Sequence, residues 1–158
     1  MIITAGEALV DLVPHAVPGG GPMNTAVACA RLGAPTAFLG AVSTDEHGDT
    51  IWDHLEASGV DLRLTQRRGE TTCRAEVIGD PPTFHFHGDG TADRFVEMPD
   101  PGLLGGGPHL LHGGTLGIFR EPAASVLAEL AETIDGIVSF DPNARPQIIE
   151  PLGRPQWD

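Results

Sequence analysis

The residues best suited to bind a small molecule stand near the start of the chain, in a glycine-rich turn. Gly19, Gly20 and Gly21 precede Pro22 and Asn24. Three glycines let a backbone turn sharply and approach a ligand closely, and proline suits the first turn of a helix. Asn24 could cap that helix or point its amide at a ligand. The pattern predicts a site for a polyhydroxylated or anionic small molecule at a helix N-terminus, or alternatively a tight strand-to-helix turn without a ligand.

A carboxylate also follows a run of apolar residues near the end of a predicted strand. Asp11 lies within the strand predicted over residues 9–13. A carboxylate held there could accept hydrogen bonds from hydroxyl groups of a ligand. The alternative interpretation is a solvated acid at a strand end.

Three more polar residues come directly after the buried strand predicted over residues 136–140. They are Asp141, Asn143 and Arg145. Ligands of parallel α/β sheets bind at the carboxyl ends of the strands. Asn143 could orient a phosphate or a metal-bound water, and Arg145 could clamp a phosphate or an acidic sugar group. Asp141 is predicted to cap the turn that precedes Pro142.

A histidine cluster raises the question of a metal site. His85, His87 and Asp89 are spaced so that they would share one face of a strand, and such groups can ligate zinc. No third strong ligand is evident. The spacing therefore favours the polar outer face of a strand, and no metal site is predicted.

The elements that must position these residues alternate between strand and helix at both ends of the chain. A polar-faced hairpin is predicted between them at about residues 71–87. Strands are predicted at 2–5, 9–13, 36–42, 71–78, 83–87, 109–113 and 136–140, and helices at 24–32, 45–58 and 121–134. The pattern predicts an α/β fold, a parallel sheet covered by helices with a small antiparallel appendage. The helix over 24–32 is apolar almost all round and is expected to be buried.

Composition excludes several classes of protein. The net charge of −13 argues against binding to nucleic acid. No apolar run reaches the roughly 18 residues that span a bilayer, and the start of the chain does not resemble a secretory signal. Cys29 and Cys73 are expected to be reduced core residues, which favours a cytoplasmic location. The glycines over 102–107 lack the strand-to-helix context of a dinucleotide fingerprint, so a nicotinamide-dependent oxidoreductase is set aside.

Four blocks in order carry a resemblance to a known family. They cover residues 6–13 (GEALVDLV), 19–33 (GGGPMN and the following helix), 36–48 and 139–146. Together they resemble the ribokinase-like (PfkB) sugar kinases, most closely the fructokinase and 2-keto-3-deoxygluconate kinase branch. The resemblance implies a ribokinase-like doubly wound parallel sheet with a small β lid over the sugar site, and a homodimer through the lid is a further expectation.

The same resemblance implies roles for individual residues. It places Asp11, Gly20, Gly21 and Asn24 against the sugar, together with Asp93 and Arg94 from a segment similar to the GTAD of fructokinases. Asn143 and Arg145 would lie on the phosphate side. ATP and Mg²⁺ are the cofactors of the intact family, although this chain by itself gives neither of them secure support.

One departure from the family decides what this chain is expected to do. The later DTxGAGD block, which supplies the catalytic base and a phosphate-holding helix N-terminus, does not occur in the sequence. The chain is therefore expected to be the N-terminal part, 1–158, of a single kinase domain, with no catalytic residue of its own. We expect it to be inactive alone, with an open sheet edge that favours aggregation. The alternative is a non-catalytic sugar-binding or regulatory protein.

Overall fold

The structure is a computed structural model that describes residues 1–79 and 83–143. Within these residues the strands are β1 (Ile2–Ala5), β2 (Leu9–Val13), β3 (His15–Gly19), β4 (Thr36–Leu39), β5 (Ala41–Ser43), β6 (Gln66–Arg68), β7 (Arg74–Ile78), β8 (Thr83–His87), β9 (His109–Gly114) and β10 (Gly136–Asp141). The α-helices are α1 (Gly21–Arg31), α2 (Glu46–Ala57), α3 (Pro101–Leu104) and α4 (Ala123–Thr133). No α-helix among them is long and apolar enough to cross a membrane.

The core is a four-stranded sheet in the order β10-β9-β1-β4. All of its pairings are parallel. Successive side chains of β4 point to opposite faces, so that Phe38 packs with α1 and α2, while Ala37 and Leu39 belong to the cluster that includes Leu127 of α4. Helices therefore cover both faces of a parallel sheet, as the alternating pattern predicted.

A second sheet of four strands has the order β3-β2-β7-β8. The pairs β2–β3 and β7–β8 are antiparallel, and β2 pairs with β7 in parallel. The predicted hairpin is present as β7 and β8, but β2 and β3 extend it. The sequence pattern did not predict β3, because Pro18 interrupts the run. Proline is tolerated here because β3 is an edge strand and need not donate at every position.

Three further expectations were wrong in detail. The strand predicted over 36–42 is two strands, and β5 pairs with β6 in a separate two-stranded sheet. Helix α1 begins at Gly21, and the backbone N–H of Asn24 already donates to the Gly20 carbonyl at 2.9 Å, so the Asn24 side chain is not the cap. Helix α1 is buried on one face only, because the alanines on its other face can be exposed to water at little cost. Cys29, which also lies on α1, is half-buried.

Candidate functional site

A polar cavity of about 210 Å³ lies between the carboxyl end of the core sheet and the second sheet. Three neighbouring core strands, β1, β9 and β10, are each followed by a lining residue, as expected for a parallel α/β sheet. The second sheet contributes residues from β2 and β8. The lining residues are Glu7, Leu9, Asp11, Gly20, Gly21, Asn24, Phe86, Thr115, Leu116 and Asn143.

Five of the residues singled out in the sequence meet at this cavity. They are Asp11, Gly20, Gly21, Asn24 and Asn143, which come from β2, the start of α1 and the end of β10. Asp11 is half-buried, whereas the side chain of Asn24 is exposed. These five residues contribute a carboxylate, two carboxamides and a glycine turn to a space suited to a small polar ligand.

The glycine turn is required by close packing as well as by backbone conformation. Gly20 has a φ of +115°, which L side chains rarely adopt, and a Cβ there would lie 2.6 Å from the Glu7 carbonyl oxygen. A Cβ on Gly21 would lie 2.5 Å from the Cγ2 of Thr115. Only glycine lets the start of α1 approach the segment after β1 and the turn after β9 this closely.

The turn after β10 behaves as the sequence predicted. The backbone N–H of Asn143 donates to Oδ1 of Asp141 at 3.0 Å, so the Asp141 carboxylate caps this turn. Asn143 itself has a φ of 41°, a left-handed conformation that asparagine adopts more readily than most residues. The cap thus holds Asn143 at the cavity wall.

Glu7 is a cavity residue that sequence reasoning missed. It is 1% exposed, and its carboxylate accepts hydrogen bonds from the backbone N–H of Gly21 at 3.2 Å and of Gly117 at 3.0 Å. The Thr115 hydroxyl donates to the same carboxylate. Burial raises the pKa of Glu7, and these hydrogen bonds oppose the rise. The sequence offered one indication of this role, because Glu7 is a charged residue that follows an apolar strand. Burial of a charged group is costly unless the group is hydrogen-bonded.

Asp93 and Arg94 are not among the residues that line the cavity. Asp93 is buried, accepts the Thr91 hydroxyl at 2.6 Å and pairs with the Arg120 guanidinium at 3.0 Å. Burial raises the pKa of Asp93, and the charge of Arg120 opposes the rise. The Arg94 guanidinium donates to the Glu121 carbonyl at 2.7 and 3.0 Å. Both side chains hold together the segments that follow β8 and β9.

Arg145 lies outside the described residues. Residues 1–79 and 83–143 contain no group of three His, Cys, Asp or Glu side chains able to hold a metal ion. His87 of the histidine cluster instead lies 3.4 Å from the Glu76 carboxylate on the neighbouring strand.

A larger, apolar cavity of about 380 Å³ lies between α4 and the β9–β10 edge. Its lining is mostly alanine, leucine and aromatic side chains, including Leu127 and Phe140. Since polar groups do not converge on it, this cavity is a poor candidate for a sugar site.

Comparison with known proteins places the chain in context. Residues 13–151 match the family described as pfkB family carbohydrate kinase. A fructokinase of Rhizobium leguminosarum bv. trifolii is 32% identical over 164 residues, which cover 95% of this chain and 50% of the relative. A fructokinase of Klebsiella pneumoniae is 34% identical over 154 residues, covering 89% of this chain and 50% of the relative. The chain thus spans about half the length of the curated relatives it matches.

Solved structures are similar over the same part. The crystal structure of a Xylella fastidiosa fructokinase with bound ATP has a TM-score of 0.83 at 30% identity, and the match covers 93% of this chain and 50% of that one. A Vibrio cholerae O395 fructokinase in a form bound to fructose, ADP and calcium ion has a TM-score of 0.77 at 30% identity, covering 93% and 52%. These likenesses confirm the predicted ribokinase-like α/β fold.

Proposed function

Because this chain belongs to the pfkB family of carbohydrate kinases, we propose that its polar cavity is the sugar site of a fructokinase-like, ATP-dependent kinase. The observation that carries the proposal is the convergence of Asp11, Asn24 and the Gly20–Gly21 turn on one cavity at the carboxyl end of the core sheet. These residues come from β2 and the start of α1. The arrangement supports recognition of a molecule with several hydroxyl groups on adjacent carbons.

Each group has a distinct part in the proposed recognition. The Asp11 carboxylate accepts hydrogen bonds from sugar hydroxyls, and the Asn24 carboxamide can both donate and accept. Gly20 and Gly21 let the start of α1 pack closely against Glu7 and Thr115, so that this turn forms part of the cavity wall. In our proposal Asp93 and Arg94 hold the site through the neighbouring turns and do not contact the sugar.

The reaction we propose for the full-length kinase is transfer of the γ-phosphoryl group of ATP to a sugar hydroxyl. The new bond joins the sugar oxygen to phosphorus, the bond to the β-phosphate oxygen breaks, and ADP leaves while a base takes the hydroxyl proton. Asn143, and Arg145 beyond the described residues, are proposed for the phosphate side. The sequence contains no DTxGAGD block to supply the base, so we propose that the 158-residue chain does not turn over alone.

The second sheet and the location of the protein complete the proposal. We assign the sheet β3-β2-β7-β8 as the lid, because Asp11 and Phe86 bring it against the cavity. Val13, Val17 and Ile78 are about half exposed on this sheet, which supports a homodimer through the lid.

Two free cysteines and a requirement for ATP fit the cytoplasm.

The experiment that tests the proposal combines sugar binding with turnover on the 158-residue chain. We expect saturable binding of fructose in calorimetry, and no phosphoryl transfer from Mg·ATP to fructose, ribose, 2-keto-3-deoxygluconate or adenosine. Asp11→Asn should weaken fructose binding about tenfold through the loss of a charged acceptor, whereas Asp53→Asn, an exposed acid on α2, should leave it unchanged.

Two results would contradict this proposal. Turnover by the purified chain would show that a catalytic base lies within these residues and would name the substrate. A folded protein that binds no sugar would remove the sugar site. Binding without turnover is also expected of a non-catalytic sugar-binding protein. Restoration of activity by the second half of a homologous fructokinase would distinguish part of a kinase from such a binding protein.

A further inference from the structure

The base of the β7–β8 hairpin is held by the guanidinium of Arg120, which stands shortly after the turn that follows β9. Its Nη1 lies 3.9 Å from the sulfur of Cys73, the residue before β7. Its Nη2 donates to the carbonyl of Gly88, the residue after β8. The same guanidinium pairs with the Asp93 carboxylate at 3.0 Å. These contacts form a clamp between both ends of the hairpin and the segment after β9.

The chain is packed closely around this clamp at Gly88. A Cβ on Gly88 would lie 2.5 Å from Nη2, 2.9 Å from Cζ and 3.1 Å from Nη1 of Arg120. The φ of Gly88 is not in the left-handed region, so its backbone conformation is open to other residues. The guanidinium, and not the backbone, therefore accounts for a glycine at this position.

The clamp stands next to the polar cavity through Phe86, which lies two residues before Gly88 on β8. Phe86 belongs to a small apolar cluster, together with Leu9, Cys73, Ala75 and Leu116. Phe86 and Leu116 line both the polar cavity and a neighbouring space of about 120 Å³, which Arg120 also lines. The place of the Phe86 ring at the cavity wall therefore depends on where the base of the hairpin is held.

The two halves of the second sheet are anchored in different ways. In β2 and β3, Val10, Leu12 and Ala16 pack in the large apolar cluster that contains α1 and α2. The hairpin β7–β8 joins a smaller cluster and has the polar contacts of Arg120 at its base. Segments with fewer buried apolar contacts open locally at a lower cost in free energy. The hairpin is thus the half of the sheet whose position depends more on the clamp.

We propose that Arg120 is a positioning residue for sugar binding, whose guanidinium holds the β7–β8 hairpin so that Phe86 completes one wall of the polar cavity. Arg120 is not among the described lining residues of that cavity, so it acts through the hairpin and not by contact with the sugar. The inference rests on the proposed sugar site. A protein whose binding-competent conformation is only partly populated binds its ligand more weakly in proportion.

The first test compares fructose binding by variants of the 158-residue chain in calorimetry. Gly88→Ala places a methyl group where the guanidinium lies, so the clamp must shift. We expect fructose binding about tenfold weaker, which corresponds to a competent fraction of about one tenth. Gly69→Ala is the matched control, because Gly69 is exposed and nothing lies within 4 Å of a Cβ there. Its affinity for fructose should equal that of the wild type.

A second variant changes the clamp from the other side. Arg120→Lys keeps a cation for Asp93 but lacks the planar fork that reaches Gly88 at the same time. It should weaken fructose binding about as much as Gly88→Ala. In the double variant the two losses should not add, and Gly88→Ala should cost less than about a further twofold, because the clamp is already lost.

Cys73 gives a readout that needs no sugar. It is fully buried, and burial raises the pKa of its thiol to about 11, so it should react slowly with a thiol reagent while the clamp holds. Cys29→Ser leaves Cys73 as the remaining thiol. In that background Gly88→Ala and Arg120→Lys should speed the labelling of Cys73 about tenfold, and Gly69→Ala should not.

The outcomes separate the clamp from the sugar site. A folded Gly88→Ala protein with wild-type affinity for fructose would overturn the inference and leave the sugar site standing. Labelling of Cys73 that rises only as far as the loss of global stability in urea explains would also overturn it. Failure of the wild type to bind fructose would overturn the sugar site and the effect on affinity, and unchanged labelling would then overturn the clamp as well. If Gly88→Ala does not fold, Arg120→Lys decides by the same two readouts.

Discussion

At the scale of single residues, the most consequential pair outside the cavity is Asp93 with Arg120. The Asp93 side chain is 2% exposed and that of Arg120 is 16% exposed. The guanidinium also donates to the Gly88 carbonyl and lies 3.3 Å from the Thr91 hydroxyl. A buried carboxylate is costly to leave without the cation that contacts it directly.

Replacement of Arg120 should therefore destabilise the protein strongly. We expect Arg120→Met to lower the free energy of unfolding by about 3 kcal/mol, since it leaves the Asp93 charge buried. Urea denaturation followed by circular dichroism measures the change. Arg63→Met is the matched control, because the Arg63–Asp61 pair lies at the surface, where ion pairs contribute little to stability. Similar losses in both variants would contradict a special role for Asp93.

The Asp93–Arg120 pair is also a feature of the structure that could not be predicted from the sequence. The motif around residues 91–94 suggested a sugar contact, but the partner of Asp93 stands 27 residues further along the chain. The convergence of Asp11, Gly20, Gly21 and Asn24 on one cavity could be predicted, because a short motif and a predicted strand placed them together. Their contact with a sugar stays a proposal. Glu7 could not, because its three bonding partners are brought to it only by the packing of α1 and β9.

At the scale of elements, α2 is fixed at its start by one carboxylate that also bonds a distant segment. Asp45 accepts from the Gly48 N–H at 2.8 Å, and from the Thr72 N–H at 2.8 Å and hydroxyl at 2.5 Å. Burial alone would raise the pKa of Asp45, but the hydrogen bonds from Thr72 and Gly48 hold it below the usual value. The cap therefore ties α2 to the segment before β7.

The stabilisation by Asp45 should depend on pH in a defined direction. A lowered folded-state pKa means that the contribution is present above the unfolded pKa, 3.8, and is lost as the pH falls through the folded value. Asp45→Ala should cost about 2 kcal/mol at pH 7, and its difference from the wild type should shrink below about pH 4. Urea titrations at several pH values measure this difference.

The control for that prediction is an acid on the same helix. Asp53→Ala, at an exposed position of α2, should cost little at any pH. An Asp45→Ala deficit that stays constant down to the lowest accessible pH would contradict the charged cap.

Among the elements, helices were easier to predict than strand boundaries. The range 45–58 was predicted from the 3.6-residue period and Gly59, and α2 lies within it. The break at Gly40 could not be read from the sequence, because the reason for it is spatial: a Cβ there would lie 2.5 Å from the Phe38 ring. Pairing of β2 with β7 was equally invisible, since residue patterns specify a strand but not its neighbour.

At the scale of the whole molecule, the edge strand β10 leaves apolar side chains in water. Ile137, Val138 and Phe140 are 68%, 48% and 58% exposed beside the larger cavity. An apolar edge strand is a template for pairing with another chain. The lid offers a second apolar surface at Val17 on the edge strand β3.

Substitution at each edge should tell which one drives self-association. We expect Ile137→Lys to reduce aggregation of the chain at micromolar concentration, because a charge on an edge strand opposes pairing. Val17→Lys is the comparison, and it should weaken the lid dimer that we propose. Sedimentation velocity distinguishes the two effects. Aggregation unchanged by Ile137→Lys would contradict the role of the β10 edge.

The parallel pairing of β2 with β7 has a consequence for the order in which the molecule folds. Val10 pairs with Arg74, so closure of the second sheet joins two segments that α1, β4 and α2 separate in sequence. Contacts between such distant segments form slowly, because the loop between them must first be ordered. During synthesis Asp11 therefore leaves the ribosome early, yet it gains its fixed place in the cavity only once the strand at 74–78 has emerged.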